Sequence, residues 1–209
     1  MMRFFPVPSA VKLFYPVNTC WEMGQQHKKI YLTFDDGPCE ESTGPILELL
    51  DRFRIRATFF CTGMQALKHS ELFNKIIDCG HTIGNHTFSH KSAWKCTPKG
   101  YLEDFERFEN EVRKTRLFRP PYGHFPLGGT KRIRMSHAVI MWSLMAWDFD
   151  PAIRPEKIVE IFSKKTSNGS IWVFHDQEKA WRSGQVALPK LIEKFLERGY
   201  EFECIPEKL

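Results

Sequence analysis

The chain has 209 residues, enough to enclose one sizeable hydrophobic core without dividing into several domains. Hydrophobic residues make up 42% and charged residues 26%, which excludes a disordered chain, and no run approaches the ~20 apolar residues needed to span a bilayer. The formal net charge is +5, but Lys and Arg are interleaved with acids throughout, against the clustered basic stripe of a nucleic-acid binder.

At the N-terminus, Pro6, Pro8 and Lys12 interrupt the apolar residues, so no continuous signal-peptide core forms. Cytoplasmic localisation is the default expectation, with envelope association if a leader is missing. A first strand is expected at Ile30–Phe34. It runs into Thr33-Phe34-Asp35-Asp36-Gly37-Pro38, where two adjacent acids precede a Gly-Pro turn. Such a segment is either a plain turn or a place where a cation relieves the repulsion between carboxylates. A helix follows, with Pro45 as its first helical residue and Ile46, Leu47, Leu49, Leu50 and Phe53 on one side.

Ala57–Cys61 reads as the second strand, and Ser70 as the cap of a helix that carries Leu72, Phe73, Ile76 and Ile77 and stops at Gly80. The strand His81–Ile83 leads into Gly84-Asn85-His86-Thr87-Phe88-Ser89-His90. Two histidines four apart share one face if the segment is helical, an arrangement suited to a shared metal; surface or core-bonded histidines are the alternative. With a carboxylate they make a His-His-Asp set with open positions, typical of catalytic sites. Thr97-Pro98 opens a helix with Tyr101, Leu102, Phe105, Phe108 and Val112 at helical spacing.

Leu117–Arg119 is the next strand, followed by Arg119-Pro120-Pro121-Tyr122-Gly123, a stiffened connection able to hold the Arg119 guanidinium near a carboxylate. The strand Val139–Ser143 precedes Trp147-Asp148-Phe149-Asp150, an acid between aromatics. Pro155 begins a helix through Ile158, Val159 and Phe162. The apolar strand Ser170–Phe174 ends at His175, a place suited to a general acid or to a core-bonded histidine. The last helix is expected to begin at Pro189 and to bury Leu191, Ile192, Phe195 and Leu196, ahead of a strand Tyr200–Cys204. Six scattered cysteines without a CxxC pair read as free thiols. Trp94, Trp142, Trp147 and Trp181 are aromatic candidates for sugar stacking, with core packing the ordinary role for most of them. About seven β/α units in one domain give an α/β fold with a parallel sheet, open or closed into a barrel, and chemistry at the C-terminal strand ends.

Together, TFDDGP, HTFSH, RPPYG, WDFD and FHD, in this order and each after a strand, resemble the polysaccharide deacetylases of the NodB-homology type, carbohydrate esterase family 4. The resemblance covers about Lys29 to Ile205. It implies a distorted (β/α) barrel over residues 29–209, with residues 1–28 as an N-terminal extension packed on it. It implies Asp35 as general base, Asp36, His86 and His90 as ligands of one divalent metal (zinc first, with cobalt, nickel or manganese as substitutes), and the Tyr122 N–H as oxyanion donor. Arg119 would orient Asp35, and Asp148 would tune His175 as the general acid. Phe149 and Val173 depart from the family's usual Trp and Leu. The implied reaction is metal-dependent release of acetate from an N-acetylglucosamine-containing glycan. A same-fold hydrolase of a non-sugar amide or O-acetyl ester, or a non-catalytic metal-containing glycan binder, stands as the alternative. The expected partner is therefore an N-acetylated glycan, with no nucleic acid and no membrane span; the pattern sets no oligomeric state.

Overall fold

The computed structural model of the chain describes Lys12, Tyr15, residues 19–125 and residues 131–208. Most of the expected 1–28 extension therefore lies outside the described residues. Among the described residues, eight strands form one sheet: β1 (Lys29–Asp35), β2 (Thr58–Cys61), β3 (Thr82–Asn85), β4 (Leu117–Phe118), β5 (Ala138–Val139), β6 (Leu144–Met145), β7 (Ser170–His175) and β8 (Glu201–Phe202). The order is β5-β4-β3-β2-β1-β7-β6, with β8 on the N-terminal end of β1, and every strand pairing is parallel.

The expected strand Val139–Ser143 is a strand only at Val139, the end of β5, and the chain then crosses to the opposite edge of the curled sheet, where β6 begins at Leu144. Backbone N–H groups of Ala138 and Ile140 donate to Arg116 and Phe118 on the β4 side, whereas those of Ser143 and Ala146 donate to Ile171 and Val173 of β7. One run of chain thus leaves one sheet edge and joins the other. An apolar run carries no mark of such a change of partner, which is why residues 139–143 read as one strand. The opening at this switch is lined by residues 20–23: Cys20 pairs with Ile140, and the Met23 N–H donates to the Gly169 carbonyl at 2.8 Å. Gly169 has φ +78, and a Cβ there would collide with the Met23 carbonyl.

Among the described residues from Thr43 onward, seven α-helices cover the sheet: α1 (Thr43–Arg52), α2 (Gly63–Lys68), α3 (Ser70–Asp78), α4 (Pro98–Glu111), α5 (Lys131–Ser136), α6 (Pro155–Lys165) and α7 (Glu178–Glu197). Strand alternation decides what faces where. Ile30, Leu32 and Phe34 of β1 join the core shared with Ile46 and Leu50 of α1, Phe162 of α6 and Leu191 and Phe195 of α7. Tyr31 joins an inner cluster with Phe60, Leu117, Ile140 and Ile171, and the same alternation places Asp35 on the inner side.

Three helix expectations change. Ser70 is the first helical residue rather than the cap, a place taken by His69 without a side-chain cap bond. α1 starts at Thr43, so Pro45 lies within its first turn, where its missing N–H has no helical partner to lose. α7 begins eleven residues before Pro189 and keeps that proline inside. The buried stripe continues upstream through Ala180, Gly184 and Ala187, residues too small to register as a hydrophobic pattern; packing along them outweighs the hydrogen bond that Pro189 removes. At α4 the expected signal operates: Thr97 Oγ1 accepts the Gly100 N–H at 3.1 Å and Pro98 occupies the first turn.

Candidate active site

Five sequence motifs converge at the C-terminal ends of the strands. Asp35 ends β1 and Asp36 follows it with φ 82; HTFSH follows β3, RPPYG follows β4, WDFD follows β6, and His175 ends β7. Gly37 permits the sharp exit from β1, because a Cβ there would strike the Asp176 carboxylate.

The two histidines meet in a way the spacing did not indicate. The segment after Asn85 is a loop rather than a helix, with Thr87 and His90 left-handed at φ 62 and φ 57. It is pinned from two sides. Gly63 and Met64 of α2 donate their N–H groups to the Thr87 and Phe88 carbonyls, and Asp104 of α4 accepts from Ser89 N–H and Oγ at 3.0 and 2.8 Å. The Asn85 side chain accepts the Thr87 N–H at 2.7 Å and donates to Glu109 of α4. This scaffold brings His86 Nε2 to 3.5 Å and His90 Nε2 to 2.9 Å from Asp36 Oδ1.

Asp36, His86 and His90 present one ligand atom each, all within 4.8 Å of one another. His86 Nδ1 lies 2.7 Å from the Arg119 carbonyl. A carbonyl only accepts, so Nδ1 carries a proton, and Nε2 faces the Asp36 carboxylate either as a donor, if protonated, or as a second acceptor. Two acceptors facing each other require a cation or an added proton between them. A divalent ion meets that need for all three donors and leaves further coordination positions open. Burial pushes the Asp36 carboxyl up, but His86 and His90 outweigh it and hold the group well below the usual carboxylate range. The second oxygen, Oδ2, accepts from Gln177 Nε2 at 2.5 Å, which leaves Oδ1 as the oxygen turned to the two histidines.

Beside these donors, Asp35 is buried against Arg119. The guanidinium, itself fully buried, donates from Nη1 to Asp35 Oδ1 at 2.7 Å and to Thr33 Oγ1 at 2.6 Å, and from Nε and Nη2 to the Ile140 and Met141 carbonyls. The last two bonds reach into the gap where the barrel changes partners, so one side chain ties the sheet switch to the acid. Burial lowers the Arg119 pKa, and the Asp35 charge opposes that. Tyr122 is left-handed at φ 59 within the Pro121–Gly123 turn, and its exposed ring stands 4.6 Å from the His90 ring.

On the opposite wall, Asp148 Oδ2 accepts the His175 N–H at 2.9 Å and Oδ1 lies 2.7 Å from Nδ1. Burial pulls the imidazole down; the Asp148 charge and hydrogen bond, with Asp36 and Asp35, more than reverse this and raise it to about 9. His175 therefore carries a proton at neutral pH and is a ready donor. Phe149 packs edge-on against it at 4.7 Å, and Val173 is fully buried within the sheet.

A family model described as polysaccharide deacetylase matches residues 23–133. A peptidoglycan-N-acetylglucosamine deacetylase of Bacillus cereus is 31% identical over 198 residues, covering 90% of this chain and 92% of that one. The chain belongs to the polysaccharide deacetylase family. A chitooligosaccharide deacetylase of Bradyrhizobium is 27% identical, covering 86% of this chain and 90% of that one. Among solved structures of the family, a peptidoglycan N-acetylglucosamine deacetylase bound to 4-naphthalen-1-yl-N-oxidanyl-benzamide superposes with a TM-score of 0.84 at 26% identity, covering 96% and 95% of the two chains. A Bacillus anthracis member described as a pseudoenzyme superposes with a TM-score of 0.77 at 25% identity, covering 88% of this chain and 66% of that one. The family thus holds both active and inactive members, and the site residues of each chain have to be judged individually.

Of the eight polar site residues expected from the motifs, all lie in this one cluster. Gln177 and Asp176 were not anticipated. The Asp176 carboxylate is buried and accepts from Ser42 Oγ and Thr43 Oγ1 at 2.6 and 2.7 Å, anchoring the start of α1 beneath the DDGP turn. Burial raises its pKa to about 7 despite those donors. Its place next to His175 was the only trace of it in the sequence; Gln177 left none. A cavity of about 1010 Å³ between α4 and α5, lined in part by Glu106, Lys114 and His137, lies at the other end of β4 and β5 and holds none of the motif residues. Among the described residues, no helix is long and apolar enough to cross a membrane.

Proposed function

We propose that this protein is a metal-dependent deacetylase that releases acetate from N-acetylglucosamine units of a glycan. The observation that carries the reading is the juxtaposition of a metal-donor triad with two differently prepared proton carriers: Asp35 tied to Arg119, and protonated His175 tied to Asp148. A glycan binder without turnover has no use for an acid and a base on opposite walls of a metal site. The relatives named for peptidoglycan and chitooligosaccharide support the N-acetylated glycan as substrate class.

Asp36, His86 and His90 would hold a divalent ion, which would supply Lewis acidity toward the acetamide carbonyl and the attacking water. Asp35 takes the proton from that water. Arg119 holds the carboxylate with its free oxygen available, and the flanking Thr33 hydroxyl keeps the guanidinium from shifting. The Tyr122 N–H, fixed by the left-handed turn, donates to the oxygen that gains charge; one such donor is worth about 3 kcal/mol. His175 gives its proton to the departing amine, and Asp148 stabilises the imidazolium until that moment. Phe149 excludes water from one side of the ring.

The reading is tested by acetate release from N-acetylglucosamine oligomers. Asp35→Asn and His175→Ala should each lose at least about a hundredfold in kcat with bound metal unchanged. Equal turnover in either variant would contradict the assigned roles.

A further inference from the structure

We propose that Trp94 and His124 form a stacking ledge that binds the pyranose ring adjacent to the one being deacetylated. The proposal rests on the glycan-deacetylase reading above and assigns two residues that none of the catalytic motifs contains.

Trp94 is 70% exposed, the most exposed of the large aromatic side chains among the described residues. Its indole lies parallel to the His124 imidazole, with ring centroids 3.5 Å apart and an interplanar angle of 11°. One buried serine holds both partners: Ser92 Oγ is 2.9 Å from His124 Nδ1 and accepts the Trp94 N–H at 3.3 Å. The ledge is therefore rigid, with one indole face supported and the rest open to solvent. Burial and the nearby Lys95 charge both lower the His124 pKa, so the supporting ring is neutral and adds no charge that would have to be desolvated.

The ledge runs on to the metal donors. The Tyr122 ring, 59% exposed, lies 5.6 Å from the His124 ring and 4.6 Å from that of His90. Three aromatic side chains thus lead from a metal ligand out to Trp94. An open aromatic face of this kind offers a flat apolar surface beside a polar cleft. A pyranose ring matches it, because its axial C–H bonds form an apolar face while its hydroxyls point to the rim. A folded protein partner needs roughly 800 Å² on each side, far more than three rings present, so the continuity with the site favours the next sugar of the same chain.

The test uses zinc-loaded protein and N-acetylglucosamine oligomers of one, two and four sugars, with kcat and KM taken from acetate release. Wild type should prefer the tetramer. Trp94→Ala should raise KM for the tetramer about tenfold, a loss of one stacked ring, with kcat falling by less than about threefold, and should flatten the length preference. Trp94→Phe should restore most of the affinity, which a loss of folding would not allow. If wild type deacetylates the oligomers and Trp94→Ala keeps the wild-type KM for the tetramer, or loses kcat alone, the ledge is overturned while the deacetylase reading stands. If wild type releases acetate from no oligomer, the deacetylase reading fails and takes the ledge with it.

Discussion

Replacing Asp148 with Asn removes the charge that holds a proton on His175 while leaving the side chain's shape. The raised value of about 9 arises from Asp148 and the Asp35–Asp36 pair working against burial. Without Asp148 the ring should fall toward its ordinary value of 6.5, since burial pulls it down and a divalent ion bound at Asp36 offsets the remaining carboxylate charge. The acid is the protonated imidazole, so activity is full below the folded pKa and is lost as pH rises through it. A fall from about 9 to about 6.5 cuts the protonated fraction roughly 30-fold at pH 8 and about fourfold at pH 7. The assay is kcat/KM for acetate release by zinc-loaded enzyme between pH 6 and 10. The alkaline limb of Asp148→Asn should move to lower pH by two units or more. An unmoved limb, with activity reduced equally at every pH, would refute the charge argument and leave Asp148 a packing residue.

Other substitutions probe other parts of the account. Gln177→Ala should weaken zinc binding about 10–100-fold, because it frees the Asp36 oxygen that should not ligate; calorimetric titration checks this, and wild-type affinity would show the bond to be idle. Arg119→Ala leaves Asp35 buried beside three vacated acceptors, and urea unfolding should show a loss of about 3–5 kcal/mol. Asp176 has a folded pKa of about 7, above the ordinary 3.8. Its contribution to stability is therefore full below pH 4 and lost as pH rises to about 7. Asp176→Asn should flatten that slope in metal-stripped protein, and an unchanged slope would remove Asp176 as its source.

The chemistry-bearing residues were legible because each motif sits where a strand ends, and an apolar run followed by polar residues marks such an end plainly. Ile30, Leu32 and Phe34, alternating with Tyr31, Thr33 and Asp35 on a strand buried on both faces, show why β1 reads as a continuous apolar run. The geometry joining His86 to His90 was hidden, because four-residue spacing reads as a helix turn whereas contacts from α2 and Asp104 impose a left-handed loop. The sheet switch at residues 138–146 was hidden for a different reason: partner choice is a long-range property that leaves no local pattern. Gln177 was invisible because its role depends on where the start of α7 meets Asp36, 141 residues away in sequence. Trp94 was one of four tryptophans suited to stacking or core packing, and only its exposure and its stack on His124 single it out.

The central claim is that the Asp36–His86–His90 donors and the Asp35–His175 pair act together on an N-acetylated glycan. Acetate release from N-acetylglucosamine tetramer, measured on metal-stripped protein and again after stoichiometric zinc, tests it most directly. The account predicts loss of turnover on stripping and its recovery with one zinc per chain. Undiminished acetate release from the stripped protein, or none after zinc is restored, would contradict it.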